Sequence, residues 1–258
     1  MLGLVLLVAV FAPWLATHDP GVIAPGLRLQ PPSVEHWFGT DALGRDIFSR
    51  AVYGARVSLI VAATVSGVAV LLGSFLGMLA GFVPSLDNPI MRVMDGLMAI
   101  PGVLLAIAVT SLTQPGLTIV IIAVVVPEIP RVVRLMRSLT LSLRELAFVE
   151  AARAVGTRDL RILSRHIFPN TLAPLTVQGT AIAASAVLVE AALSFLGVGV
   201  PPDIPSWGSM MAQARSSISV ALFAMAWPGA FLGFTVLGMN LLGDGLRDRL
   251  DPRLARSQ

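Results

Sequence analysis

A run of apolar segments, each near the length that crosses a bilayer, limits this chain more than anything else in it. A hydrocarbon core about 30 Å thick takes about 20 apolar residues in a helix. Segments 57–83, 93–112, 117–137, 173–197 and 220–242 have that length and character, and residues 2–16 (LGLVLLVAVFAPWLA) form a shorter sixth. The chain is 55% hydrophobic and only 13% charged, where a soluble domain is nearer a quarter charged. The expected fold is therefore all-α and polytopic, with six transmembrane helices. Its parts are a first transmembrane helix at 1–16, a polar outer loop at 17–56 and a core transmembrane domain at 57–258. No basic residue precedes the first apolar segment, and Ala16-Thr17-His18-Asp19-Pro20 is a weak cleavage site. That favours a span over a signal peptide.

Charge orients the chain. All 18 basic residues are Arg. With both termini placed in the cytoplasm, segments 84–92, 131–171 and 244–258 are inside and carry 13 Arg, against five outside: Arg28, Arg45, Arg50, Arg56 and Arg215. Positive residues collect on the cytoplasmic side, so this orientation is expected, with 17–56 and 198–219 outside. The absence of Lys excludes a Walker A lysine and a Schiff-base lysine. The absence of Cys excludes thiolate chemistry. The Arg are scattered over several loops, which argues against nucleic acid as a partner. No Gly-x-Ser-x-Gly frame is present, and no catalytic pair lies within a span, so no enzyme activity is expected.

Two stretches carry local information. The second span has small residues near fourfold spacing (Gly67, Gly73, Ser74, Gly77, Gly81), which let helices approach closely in lipid. The stretch 140–169 is too polar to span. Leu146, Val149, Ala152 and Val155 recur at helical spacing, and Gly156 then ends the helix. Thr157 can cap a second helix with Asp159 in its first turn and Leu160, Leu163 and Ile167 on its apolar face. Such a helix–Gly–helix element suits docking into a groove on a soluble partner. It equally suits lying on anionic lipid.

Glu150-Ala151-Ala152, then Gly156, then His166-Ile167-Phe168-Pro169 resembles the EAA loop of binding-protein-dependent ABC importer permeases. HWFGTDALGRDIFSR (36–50), GARVSL (54–59), LGSFLGMLAGF (72–82), MRVMDGLMAIPGVLLAIA (91–108), EAALSFLGVGVPPDIPSWGSMM (190–211) and NLLGDGLRDRLDPR (240–253) narrow the match. Together they resemble the C-type permease subunit of dipeptide, oligopeptide and nickel importers. The chain departs from that pattern at VPEIPRVVR (126–134), where many relatives carry Trp and Tyr.

The resemblance implies a type I importer permease in a bacterial cytoplasmic membrane. It implies a second, homologous permease forming a heterodimer, two ATPase subunits beneath and an extracytoplasmic binding protein above. ATP and Mg would sit on the ATPases, with no cofactor in this chain. The 140–169 loop would be the cytoplasmic coupling loop, with Glu150, Ala151, Ala152, Arg153, Gly156, Asp159, Arg161, His166 and Pro169 at the ATPase contact.

Other candidates come from their setting. Glu190 is an acid within a span and is expected either on the translocation pathway or bonded to a Ser, to Gln178 or to a backbone amide. Gln178 and Glu128 are further pathway candidates, although Glu128 more simply pairs with Arg131 or Arg134. Asp95 is expected to pair or cap. Asp41, Arg45 and Asp46 either contact the binding protein or brace the outer loop. Trp37, Trp207 and Trp227 fit interfacial positions. His18, His36 and His166 lie far apart in sequence, and no metal site is expected from them. The alternative to an ATP-driven importer is an ion-driven secondary transporter, which would leave the EAA loop without a role.

Overall fold

The computed structural model describes residues 1–112 and 116–250. Among them there is no β-strand, and the chain is built from helices. The first apolar segment forms α1 (Leu2–Val10) and α2 (Ala12–Leu15), broken at Phe11, with Pro13 in the first turn of α2. A long irregular loop follows. Then α3 (Ile47–Phe82) runs for 36 residues without interruption, about 54 Å at 1.5 Å per residue. The expected boundary between loop and span at 56/57 is thus absent. The helix begins ten residues earlier, where the Asp46 side chain accepts from Ser49 N at 2.7 Å and caps it.

The third span also differs from expectation. Instead of one helix over 93–112, there is an amphipathic α4 (Pro84–Met98) and a ten-residue α5 (Gly102–Ser111), bent by 82°. Pro101 explains the break, since it has no N–H to donate and pushes Ile100 out of helical geometry. Alone, α5 is about 15 Å long, half a bilayer core. After it comes α6 (Leu117–Arg144), which carries Pro127 and Pro130 without ending. The cytoplasmic candidate loop forms α7 (Ala147–Ala154) and α8 (Asp159–Ile162). A π turn at Leu163–Ile167 leads into α9 (Phe168–Phe195). Then come α10 (Trp207–Ala214) and α11 (Phe223–Leu250). Three described stretches, Ile47–Phe82, Asp159–Phe195 and Phe223–Leu250, are long and apolar enough to cross a membrane, and the bent α4–α5 pair makes a fourth.

The helices pack around α3. Its Gly73, Gly77 and Gly81 meet α6 backbone to backbone. A Cβ on Gly77 would stand 2.6 Å from Val133 O and from Met136 Cβ. Ionic ties then fix α4 to α6. Arg137 donates to both oxygens of Asp87 (2.5 and 2.6 Å), and Arg134 to Asp95 at 2.6 Å, which is the pairing expected of Asp95. One core joins α3, α5, α6 and α9, and a second joins α1, α3, α9, α10 and α11.

Trp207 belongs to that second core. It is fully buried, and its Nε1 donates to Ala51 O at 2.9 Å. The interfacial position expected of it is therefore corrected: this Trp plugs the outer helix α10 into α3. Trp37 is exposed, and Trp227 stacks on Phe38 at 3.9 Å.

Candidate coupling site

The helix–Gly–helix element sits at the far end of α3. Val149, Ala152, Ile162 and Ile167 bury one another and close against Phe82, Leu143 and Leu163. The turn between α7 and α8 follows from hydrogen-bonding geometry. Gly156 has φ +78°, Gly156 N donates to Arg153 O at 2.9 Å, and Thr157 N donates to Ala152 O at 3.0 Å. This is the Schellman arrangement, which satisfies the last carbonyls of α7 and favours Gly at the left-handed position. Thr157 does not cap α8. The N-cap is Arg158, with no side-chain cap bond, and Asp159 opens the helix. After α8, Pro169 cannot donate into the ladder. The chain adopts a π turn in which Phe168 N reaches Leu163 O, and the Asn170 amide donates to His166 O at 2.7 Å.

What this small core leaves outside is the candidate docking face. Val155 is 82% exposed and Leu160 78%, and Leu146 and Phe148 are also exposed. The apolar stripe read from the sequence is thus divided, with Val149, Ala152 and Ile167 turned into the small core and Val155 and Leu160 left outside, on either side of the left-handed turn. Glu150, Ala151, Arg153, Asp159 and Arg161 are exposed around them, while Ala152 is buried and holds the element together. The Arg153 guanidinium lies 5.6 Å over the Phe82 ring, so it tethers α7 to α3 as well as facing outward. His166 is partly buried near Phe148, and Pro169 starts α9. The expected coupling residues therefore form one continuous element, with Ala152 as its inner support.

The pathway candidates are placed differently. Glu128 is 4% exposed. Arg131 Nη1 donates to both its oxygens (3.1 and 3.0 Å), and Ser185 Oγ of α9 donates at 3.1 Å. Its carboxylate ties α6 to α9. Glu190 is fully buried. Ser194 Oγ donates to it at 2.8 Å, and the same hydroxyl accepts from Val200 N at 3.1 Å. This chain of bonds fixes the outer 198–206 loop to α9. Gln178 is partly buried on α9. An apolar groove between α3 and α9 is lined by Thr176 and Gly179 on α9, not by Gln178. Glu128 and Glu190 thus bond to neighbouring elements of this chain, and Gln178 lies outside the lining of that groove.

At the other end of α3 the outer loop is braced by its own charges. Arg45 Nε donates to Asp41 at 2.7 Å, and its guanidinium also reaches Gln213 of α10. Arg50, buried, donates to Pro20 O at 2.9 Å and Pro202 O at 3.3 Å. Arg45 and Asp46 are 5% and 3% exposed. Of the two roles open to Asp41, Arg45 and Asp46, these contacts perform bracing. The loop also brings His18 beside His36, with ring centroids 4.6 Å apart, whereas His166 sits at the opposite end of the molecule. Sequence spacing gave no sign of that pairing, because 17 residues of irregular backbone separate the two rings.

Comparison with known proteins decides the family. Residues 69–256 match the model of the binding-protein-dependent transport system inner membrane component. The chain belongs to that family. It is 53% identical over 250 residues to a probable peptide ABC transporter permease of Sinorhizobium fredii, covering 97% of this chain and 86% of the relative. A dipeptide transport system permease of Alkalihalophilus pseudofirmus is 44% identical, covering 96% of this chain and 82% of that one. Among solved structures, the inward-facing MetNI methionine ABC transporter aligns with TM-score 0.66 at 18% identity, covering 80% of this chain and 98% of that one. At that identity the likeness concerns the fold. The permease fold expected from the EAA spacing is thus the one adopted, and the element at 147–167 lies within the matched family region.

Proposed function

We propose that this permease forms half of the translocation pathway of an ATP-driven importer of di- or oligopeptides. A second, homologous permease supplies the other half. The chain itself does no chemistry. ATP and Mg are held by two separate ATPase subunits, and an extracytoplasmic binding protein delivers the substrate. In this reading the chain is a multi-pass protein of the bacterial inner membrane with both termini in the cytoplasm, the side that the arginine-rich segments favour. The ion-driven alternative loses its ground with the family membership.

The observation that carries the reading is the exposed face of α7–Gly156–α8. An isolated element this short does not hold a shape in water, yet here it has a dry core of its own and is tied to α3 and α6. That construction exposes Val155 and Leu160 on a rigid base, which suits seating in a cleft of an ATPase. Closure of the ATPases would then move α3, α6 and α9 as packed bodies. The peptide class rests on the names of the similar permeases.

The test is co-purification of the importer from detergent-solubilised membranes, comparing the wild type with Val155→Asp/Leu160→Asp. Both side chains are exposed, so the variant keeps its fold. The expected result is loss of the ATPase while the second permease still co-purifies. Retention of the ATPase at wild-type yield would overturn the assignment of the docking face.

A further inference from the structure

The outer loop contains a group of side chains that the importer reading does not use. His36 is buried (7% exposed), and its Nδ1 lies 2.9 Å from Asp46 Oδ1. Its other ring nitrogen, Nε2, is buried and has no hydrogen-bond partner among the described residues. Nδ1 is therefore the ring nitrogen that His36 presents beside the Asp46 carboxylate, with Nε2 on the far side of the ring. Asp46 is equally enclosed. Its Oδ2 caps α3 at Ser49 N, which leaves Oδ1 turned to the imidazole. The only ion-pair partner of Asp46 among the described residues is His36. His18 completes the group. Its backbone N donates to Ser49 Oγ at 3.1 Å, so its backbone is fixed on the first turn of α3, and its ring lies tilted by 32° against that of His36.

We infer that His18, His36 and Asp46 form a binding site for one divalent transition-metal ion on the outer loop. One ligand atom from each residue lies within 4.8 Å of the other two. Ligands at about 2.1 Å from a tetrahedral ion stand about 3.4 Å apart, so the cluster must draw in by up to about 1.4 Å. Among the described residues the partly buried His18 side chain bonds only to Thr17 Oγ1 at 3.1 Å, so its ring can turn toward the other two ligands without moving a helix. Two imidazoles and one carboxylate select borderline ions of the Zn²⁺ class over Mg²⁺ or Ca²⁺, which take oxygen ligands. The fourth position is left to water. Bound there, the ion joins residue 18, residue 36 and the cap of α3, and so fixes both halves of the loop to the helix that runs the length of the molecule.

The experiment uses the importer purified through an affinity tag without histidines and stripped with a chelator. Zn²⁺ is titrated in competition with a chromophoric chelator, and the wild type is compared with His18→Gln, His36→Gln and His166→Gln. The expected result is one more Zn²⁺ per complex in the wild type and in His166→Gln than in His18→Gln, with at least a tenfold loss of affinity for that ion. His36→Gln should behave like His18→Gln. Because the His18 side chain is outside the core, His18→Gln retains the wild-type gel-filtration profile and decides the matter if His36→Gln misfolds. Equal Zn²⁺ uptake by wild type and His18→Gln, including no uptake by either, overturns the site.

Discussion

Gly156 shows how much a single residue fixes here. Nothing lies within 4 Å of where its Cβ would be, so a side chain meets no obstacle, and the whole constraint is its φ of +78°. An L-residue in that conformation costs about 1–2 kcal/mol, and Asn tolerates it better than most. ATPase capture by the solubilised permease should therefore fall in the order Gly156, Gly156→Asn, Gly156→Ala, Gly156→Val. A steric effect at the docking surface would follow side-chain size instead and place Asn below Ala, so the Asn–Ala pair separates the two causes. This glycine was legible in the sequence because it ends a periodic apolar stripe. How the stripe divides between the small core and the outside was not, since periodicity carries no record of the left-handed turn between Val155 and Leu160. Trp207 misled for a related reason. Interfacial and buried Trp look the same in sequence, and only the Ala51 carbonyl waiting at 2.9 Å distinguishes them. Replacing Trp207 with Phe keeps most of the packing but loses this hydrogen bond, while Ala51 O keeps its place in the α3 ladder. A loss of about 1–2 kcal/mol is expected, read as a lower midpoint in thermal unfolding of the detergent-solubilised protein.

At the scale of elements, the interface of α3 with α6 was the most readable. Its small residues recur every four positions, and Gly73, Gly77 and Gly81 allow the close approach that such spacing predicts. Gly77→Leu should separate the two helices, at a cost of about 1–3 kcal/mol or more, whereas Gly67→Leu, with open space around it, should cost little. The comparison is the yield of monodisperse protein after solubilisation, and equal yields would show that the contact is not needed. The break between α4 and α5 was less readable. Hydropathy runs smoothly across 93–112, and Pro101 in a membrane helix is compatible with either a kink or a stop. The decision came from outside the segment. Arg134 and Arg137 of α6 hold Asp95 and Asp87 on α4, drawing that amphipathic helix away from the line of α5. Glu128 and Glu190 followed the same logic. Sequence identified two acids within spans, but only packing assigned each to a Ser on α9, Ser185 for one and Ser194 for the other.

For the molecule as a whole, α3 settles what can face what. Its first turn carries the outer loop through Asp46, and its last residue, Phe82, packs under the coupling element. These two regions are therefore held at opposite ends of a helix about 54 Å long, longer than a bilayer with its headgroups. The Arg bias predicts that the end carrying α7 and α8 faces the cytoplasm. The chain offers a direct test, because it has no Cys and any introduced thiol is unique. Val34 in the loop is 96% exposed and Val155 in the coupling element is 82% exposed, so Cys at either site is accessible and perturbs no core. In vesicles from cells that lack the ATPase subunits, so that the docking face is uncovered, a membrane-impermeant maleimide should label Val34→Cys but not Val155→Cys when the vesicles are right-side-out, and only Val155→Cys when they are inverted. Labelling of both from one side would mean that α3 does not cross the bilayer, and the importer topology would fall with it. Labelling with the sides exchanged would leave the crossing intact and invert the chain, placing the metal cluster at His18 and the docking face at Leu160 in the wrong compartments for their proposed roles.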